Sequence, residues 1–495
     1  MTTRRLVTWI VFLAIFAMAA RMSVDTDTWW HLRAGQWIVE HRAVPQVDPF
    51  SYTRLGDAWQ YPGWIVEVPM YWIYEISGPG GLNLWTAFMV TLAFAFVWKT
   101  LSGGVFLRAF VIIFAAVVSG VYWAARPYLV TFVLAAVFLW ILEDFRWEKG
   151  VGANFRLWLL PILMVLWANS HGGFAVGFLI WGVYCAVEFV DWLSPRIIQF
   201  FKKGNAQIGS APGGQRFVHL FLVGILMIIA VSLNPSGPIM LLYPFKTVGI
   251  SALKEYIQEW QSPDFHSLSV QPFAWLLLLT FGVVGASRRR IALTDFLLFS
   301  GFAYMALMAG RNIALFALVA PMVMTRHADP LLAAVGRSMG IKTNLAAPVR
   351  RGQKILNGIL LVILFIAVLM KVSLVFPESA NNKIFQDTLP VEAVNFIKMN
   401  NFQGRLFSSY NWGGYLLWAL PKYPVFIDGR TDLYNDEVIN EWLQVVRAEN
   451  GWQDVLDKWD VHLILLEPTM KVIDLLPGNG WHRLYSDQKA VIYAK

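Results

Sequence analysis

The chain has 495 residues, of which 57% are hydrophobic, 15% aromatic and only 15% charged, with a formal net charge of +8. A soluble globular protein carries about 25% charged residues, so this composition excludes a soluble enzyme and defines a polytopic α-helical membrane protein. The basic excess belongs to cytoplasmic loops and not to nucleic acid, and the single Cys185 excludes an internal disulfide and a cysteine metal cluster.

Arg4 and Arg5 precede an apolar run from Leu6 to Ala20. The run is short for a span and ends in Ala-Met-Ala-Ala, so it reads as a cleaved signal or, preferred here, as an uncleaved first helix. Either way the chain emerges outside at Arg21. There it becomes polar: Asp25-Thr-Asp-Thr-Trp-Trp-His-Leu-Arg-Ala-Gly35, then Val47-Asp-Pro-Phe-Ser-Tyr-Thr53, then Trp59-Gln-Tyr-Pro-Gly-Trp64. Trp29, Trp30, Trp37, Trp59, Trp64 and Trp72 place this loop, residues 21–80, at the lipid-water boundary, where indoles and carboxylates are both tolerated.

Further crossings are expected at 81–98, 109–125, 127–142, 157–170, 172–190, 217–233, 272–286, 291–309, 311–325 and 355–376, giving about eleven transmembrane helices. With the N-terminus cytoplasmic, the inner loops collect Arg4 and Arg5; Lys99 and Arg108; Arg146, Lys149 and Arg156; Arg196, Lys202, Lys203 and Arg216; Arg288 to Arg290; and Arg326, Arg337, Lys342, Arg350, Arg351 and Lys354. The short outer loops hold little beyond Arg126 and Arg311, so the positive-inside rule sets the orientation in a cytoplasmic membrane. The odd count leaves residues 377–495 outside.

That last segment reads as an extracytoplasmic α/β domain following a transmembrane domain of residues 1–376. Helices are expected near 390–400, 412–420, 436–447 and 452–458, strands at 404–407, 425–427 and 461–466, and a hairpin near 481–494.

The remaining polar residues cluster at the outer mouths: Arg126-Pro127, Asn169-Ser-His-Gly-Gly173, Asn234-Pro-Ser-Gly237, Glu255, Glu259, Asp264 and Arg311-Asn312. The middles of the spans carry no ionisable residue, which disfavours a proton- or ion-coupled transporter. Each mouth residue has two readings. Asp25 or Asp27 caps a helix starting at Thr28 or supplies a carboxylate for chemistry, oriented with His31 one turn on. Arg126 and Arg311 snorkel to headgroups or grip a lipid phosphate with their planar forks. His171 shapes its loop or acts as a ligand, and the tryptophans form an interfacial belt or stack on sugar rings.

A first helix, a long outer loop beginning Asp-x-Asp, many spans and an outer C-terminal α/β domain together resemble the GT-C glycosyltransferases, in a bacterial branch near the oligosaccharyltransferases, protein mannosyltransferases and aminoarabinose transferases. Asp27-Thr-Trp-Trp-His-Leu-Arg33, with Gly56 and Tyr61-Pro-Gly63, is similar to the first loop of oligosaccharyltransferase catalytic subunits. Asn411-Trp-Gly-Gly-Tyr415 and Phe426-Ile-Asp-Gly-Arg-Thr-Asp-Leu-Tyr434 fall where those enzymes have their acceptor motif. Two departures stand out: the motif at 411–415 lacks an aspartate, and the loop Tyr122-Trp-Ala-Ala-Arg126-Pro127 lacks a carboxylate.

The resemblance implies a membrane enzyme that moves a sugar from a polyprenyl-phosphate carrier to a glycan, lipid or protein acceptor in cell-envelope assembly. It implies Asp27 or Asp25 as general base and a donor site of Arg126, Arg311, His31 and Arg33. The acceptor side would comprise Trp412, Asp428, Arg430, Asp432 and Glu259. A divalent cation, Mg2+ or Mn2+, would rest on Asp25 and Asp27 with Asp48 or Glu259. The alternative is a non-catalytic scaffold, or a polysaccharide assembly, ligase or flippase factor.

Overall fold

In the computed structural model six helices are long and apolar enough to cross a membrane: Trp64–Thr100, Val105–Tyr122, Tyr128–Trp147, Gly172–Ser194, Gly214–Val231 and Arg351–Val375. Shorter apolar helices occupy Asn154–Ala168, Gln271–Ala286 and Leu293–Met308. The model describes residues 1–147, 151–201, 213–339 and 350–495, so the expected inner-loop charges Lys149, Lys202, Lys203 and Lys342 lie outside the described residues.

Helix α1 (Thr3–Ala19) is capped by the Thr2 hydroxyl, which accepts from the Arg5 N–H. Its buried residues Leu6, Val11, Ile15 and Ala19 recur at helical spacing, and this stripe packs on three other helices of the bundle. Helix α2 (Thr28–His41) buries Trp29, Leu32 and Ile38 against helix α3 (Trp64–Thr100). Gly35 lets the two approach, since a β-carbon there would overlap the Glu67 carbonyl.

Helix α3 is two helices joined at a break. Gly78 adopts φ 60°, ψ −159°, a conformation open to glycine, and Pro79 follows it. The break separates an arm from Trp64 to Ser77 from the arm that holds the expected crossing at 81–98. Helices α4 (Val105–Ser119) and α5 (Tyr128–Trp147) follow. Helix α5 is buried on nearly all sides by its neighbours in the bundle. At one end Glu143 and Asp295 are bridged by Arg146 and Arg326, with Arg146 Nη1 and Arg326 Nη1 both 2.5 Å from Asp295 Oδ1. The two acids and the two arginines thus pair with one another.

The C-terminal segment forms a four-stranded sheet of β1 (Arg405–Ser408), β2 (Val461–Leu466), β3 (His482–Ser486) and β4 (Val491–Ala494) in the order β1-β2-β4-β3. The first pair is parallel and the others antiparallel. The helices Val391–Asn400, Tyr410–Ala419, Thr431–Val446 and Trp452–Lys458 fall where the sequence places them. A helix at Glu378–Thr388 was not foreseen; its Asn381 accepts from Asn83 Nδ2 at 2.9 Å.

The expected strand at 425–427 forms only single bridges, from Val425 to Ser51 and to Leu406. Its hydrogen bonds are divided: Tyr52 N–H donates to Val425 O at 3.1 Å, and Val425 N–H donates to Phe50 O at 3.3 Å. Thr53 Oγ1 donates to Phe426 O at 2.7 Å. The first loop thus takes the partner role that a neighbouring strand would have had, and this stitches it to the C-terminal segment.

Candidate active site

The site grows from the turn between α4 and α5. Arg21 donates to Gly120 O at 2.6 Å and to Trp123 O at 3.0 Å, and Thr28 Oγ1 donates to Ala125 O at 3.0 Å. The Ala124 N–H is bound by the Tyr128 hydroxyl at 3.0 Å. With its backbone held, Arg126 projects among three carboxylates. Its Nε donates to Asp25 Oδ1 at 2.6 Å, and its Nη1 lies 3.0 Å from Asp27 Oδ2 and 3.5 Å from Glu259 Oε2. Glu259 Oε1 is 3.4 Å from Arg311 Nη1, whose guanidinium stacks 4.2 Å from the Trp260 ring centre. Asp25 Oδ1 also accepts from the Asp27 N–H at 2.9 Å, which fixes the two acids relative to each other.

Asp27 holds the N-cap position of α2 but makes no capping hydrogen bond with its side chain. It faces Arg126 and the C-terminal segment, so capping does not explain it. Burial is the main cause that raises its pKa to about 7; Arg126 opposes this, while Asp25, Glu259 and Asp428 add to it. Burial would weaken the charge of Arg126, yet Asp25, Asp27 and Glu259 hold its pKa above the usual value.

Several expected site residues stand elsewhere. His31 reaches Asp27 only through its backbone, its N–H donating to Asp27 O at 3.3 Å; its ring Nδ1 pairs with the fully buried Glu67. Burial, with Arg126 and His171 nearby, keeps His31 neutral. Arg33 is a correction: its Nη1 donates to Gln36 Oε1 at 2.8 Å and approaches Glu40 at 4.0 Å, further along α2.

The acceptor side also needs correction. Asp428 and Arg430 are buried and bound to each other, with Arg430 Nη1 2.5 Å from Asp48 and the Tyr434 hydroxyl 2.7 Å from Asp428 Oδ2. Neither can read an acceptor from there. Asp48, engaged by Arg430, Ser51 and the Phe50 N–H, is unavailable to Asp25 and Asp27. Trp412 is buried, and Asp432 lies beside Tyr243. Of the expected residues, Asp25, Asp27, Arg126, Glu259 and Arg311 do come together.

Sequence reasoning missed Glu67 and Tyr410. The Tyr410 phenol is within electrostatic reach of Asp27, Asp428, Glu259 and Arg126, and burial raises its pKa well above the ordinary value. Its place just before Asn411-Trp-Gly-Gly was the available signal. His171 shapes its loop: Nδ1 accepts from the Gly173 N–H at 3.0 Å and lies 2.9 Å from the Thr131 hydroxyl, and burial lowers its pKa to about 3.

An apolar groove of about 680 Å³ opens between α4 and the helix Gln271–Ala286, lined by Phe110, Phe114, Val117, Leu268, Trp275 and Leu279. Just beyond Val117, Tyr122 packs its hydroxyl on Gly310, beside Arg311.

The sequence matches no protein-family model and no curated protein. The fold is similar to those of solved glycosyltransferase structures. Among solved structures it is similar to the oligosaccharyltransferase AglB of the archaeon Archaeoglobus fulgidus in complex with an inhibitory peptide and a dolichol-phosphate, at TM-score 0.60 and 12% identity, covering 99% of this chain and 74% of that one. The A. fulgidus enzyme tethered to an acceptor peptide containing the NVT sequon gives TM-score 0.58 and 13% identity, with 99% and 74% covered. The arabinofuranosyltransferase AftD from Mycobacteria gives 0.50 and 13% over 100% of this chain and 40% of that one. At these identities the likeness is one of fold.

Proposed function

We propose that this chain transfers a sugar from a polyprenyl-phosphate carrier to an acceptor hydroxyl or amide at the outer face of a bacterial cytoplasmic membrane. The observation that carries the reading is Asp27, held by Arg126 at 3.0 Å, with its pKa raised to about 7. A general base works best when its pKa lies near the working pH. The AglB neighbour bound to a dolichol-phosphate supports a lipid-linked donor.

In this reading the isoprenoid chain lies in the apolar groove between α4 and the helix Gln271–Ala286, and its phosphate meets Arg311. The acceptor gives its proton to Asp27 as its oxygen or nitrogen bonds to the anomeric carbon. The bond from that carbon to the phosphate oxygen breaks, and the polyprenyl phosphate leaves with the electron pair and with inversion. Arg311 stabilises the charge that develops on the leaving group, while Arg126 holds Asp27 in place. The chain crosses the membrane about eleven times, with residues 1–376 as the transmembrane domain and 377–495 outside.

The test is turnover of short-chain lipid-linked sugars by purified protein and by Asp27→Asn. The amide keeps the shape and removes the proton acceptor, so turnover should drop about 10²–10⁴-fold while the protein stays folded. Full activity in Asp27→Asn removes it as the base, and an inert wild type across many donors favours the scaffold alternative.

A further inference from the structure

The fold family implies a divalent cation at the Asp25 and Asp27 loop, and the donor set here can be tested for it. Hard divalent cations take about six to eight oxygen ligands at about 2.0–2.6 Å. In this chain the space between Asp25, Asp27 and Glu259 holds a guanidinium, and among the described residues no three His, Cys, Asp or Glu side chains converge to hold a metal ion. Asp48, the remaining acid that could complete the set, is bound to Arg430.

The geometry points to Arg126 as a built-in cation that takes the place of a divalent metal between Asp25, Asp27 and Glu259, so that the transfer proposed above runs without one. Two edges of the fork are in use: Nε on Asp25 at 2.6 Å and Nη1 between Asp27 and Glu259 at 3.0 and 3.5 Å. A lysine ammonium is a single point charge and cannot reproduce this. The backbone that carries the fork is also held. The Arg126 N–H donates to Ala124 O at 2.8 Å, and Thr28 holds Ala125 on the α2 side. A dication entering here would meet the guanidinium charge at contact distance. Arg126 thereby relieves the repulsion among the three acids and aims Asp27, while Arg311 remains for the donor phosphate. It acts through Asp27 and is a positioning residue.

This inference rests on the glycosyl-transfer reading only for its catalytic consequence, so its test reads cation binding directly. Mn2+ binding to the purified full chain is followed by electron paramagnetic resonance, alongside turnover with and without a chelator. Wild type should bind Mn2+ no better than Asp25→Asn. Arg126→Gln should uncover the carboxylates and gain affinity by about tenfold or more, a gain that Asp25→Asn added to it removes. Turnover, where present, should stay within about twofold after chelation. Submillimolar Mn2+ binding by the wild type that Asp25→Asn or Glu259→Gln abolishes overturns the inference. So does activity that is lost to a chelator and restored by Mg2+, a result that would leave the transferase reading intact. If Arg126→Gln fails to fold, the wild-type comparison with Asp25→Asn and Glu259→Gln still decides. A wild type with no turnover fails the function, and the binding arm continues to report on Arg126.

Discussion

Asp27 and Gly429 are in contact across the two parts of the chain: a β-carbon placed on Gly429 would overlap Asp27 Oδ1. The C-terminal segment therefore sets the position of the carboxylate proposed as base, although it lies some four hundred residues along the chain.

Gly429→Ala should cost activity more than stability. The added methyl must push Asp27 off Arg126, and a misplacement of about 1 Å can cost about 10²-fold in rate. Turnover measured beside thermal unfolding checks this. Equal losses in both would mark Gly429 as a folding residue only.

Activity should rise with pH through about 7 as Asp27 loses its proton. The stability effect has the opposite sign. A carboxyl raised from 3.8 to about 7 keeps its proton in the native state after the unfolded chain has released it, so stability falls as pH rises across that window and levels off above it. Asp27→Asn should flatten both profiles, in rate and in melting temperature. A wild-type rate independent of pH between 5 and 8 would remove Asp27 from the chemistry.

Arg311→Ala should weaken binding of a polyprenyl phosphate by about 1.5 kcal/mol, roughly tenfold, the low end of the range for a charged hydrogen bond because the side chain is 29% exposed. Lysine should restore part of this, since it keeps the charge and loses the stacked plane on Trp260. Titration with a short-chain lipid phosphate measures it, and an unchanged affinity returns Arg311 to snorkelling.

Arg430→Met should destabilise the chain by about 3–5 kcal/mol, because it strands Asp48 and Asp428 in the interior without their partner. The first loop supplies Asp48 and the C-terminal segment supplies the other two. The variant should therefore show protease cutting in both regions at temperatures where the wild type resists.

Tags at Arg54 and Lys489 should be labelled from outside intact cells, and a tag at Arg350 only after permeabilisation. The warrant is the basic excess of the loops placed inside. A shielded Lys489 would overturn the orientation and the site with it.

The sequence by itself determined the membrane class, most helix positions and the elements around 391–420, because apolar runs and helical or alternating periods are local signals. It also singled out Asp25, Asp27, Arg126, Glu259 and Arg311, since polar residues between apolar runs must sit at a membrane face. Partners were another matter. His31 and Arg33 both fall within about two helical turns of Asp27, yet packing on α3 turned His31 to Glu67 while Arg33 points along α2 to Gln36. Asp428 and Arg430 follow the expected strand at 425–427 and are placed on the acceptor side by resemblance, but the fold buries them against Asp48, a residue 382 positions away from Arg430. Val425 lost its strand for the same reason, as Phe50 and Tyr52 took its hydrogen bonds. Charge pairing across such separations leaves no periodic trace in a single sequence. Whether Arg126 meets a phosphate or three carboxylates is decided by which distant loops the fold brings to its guanidinium.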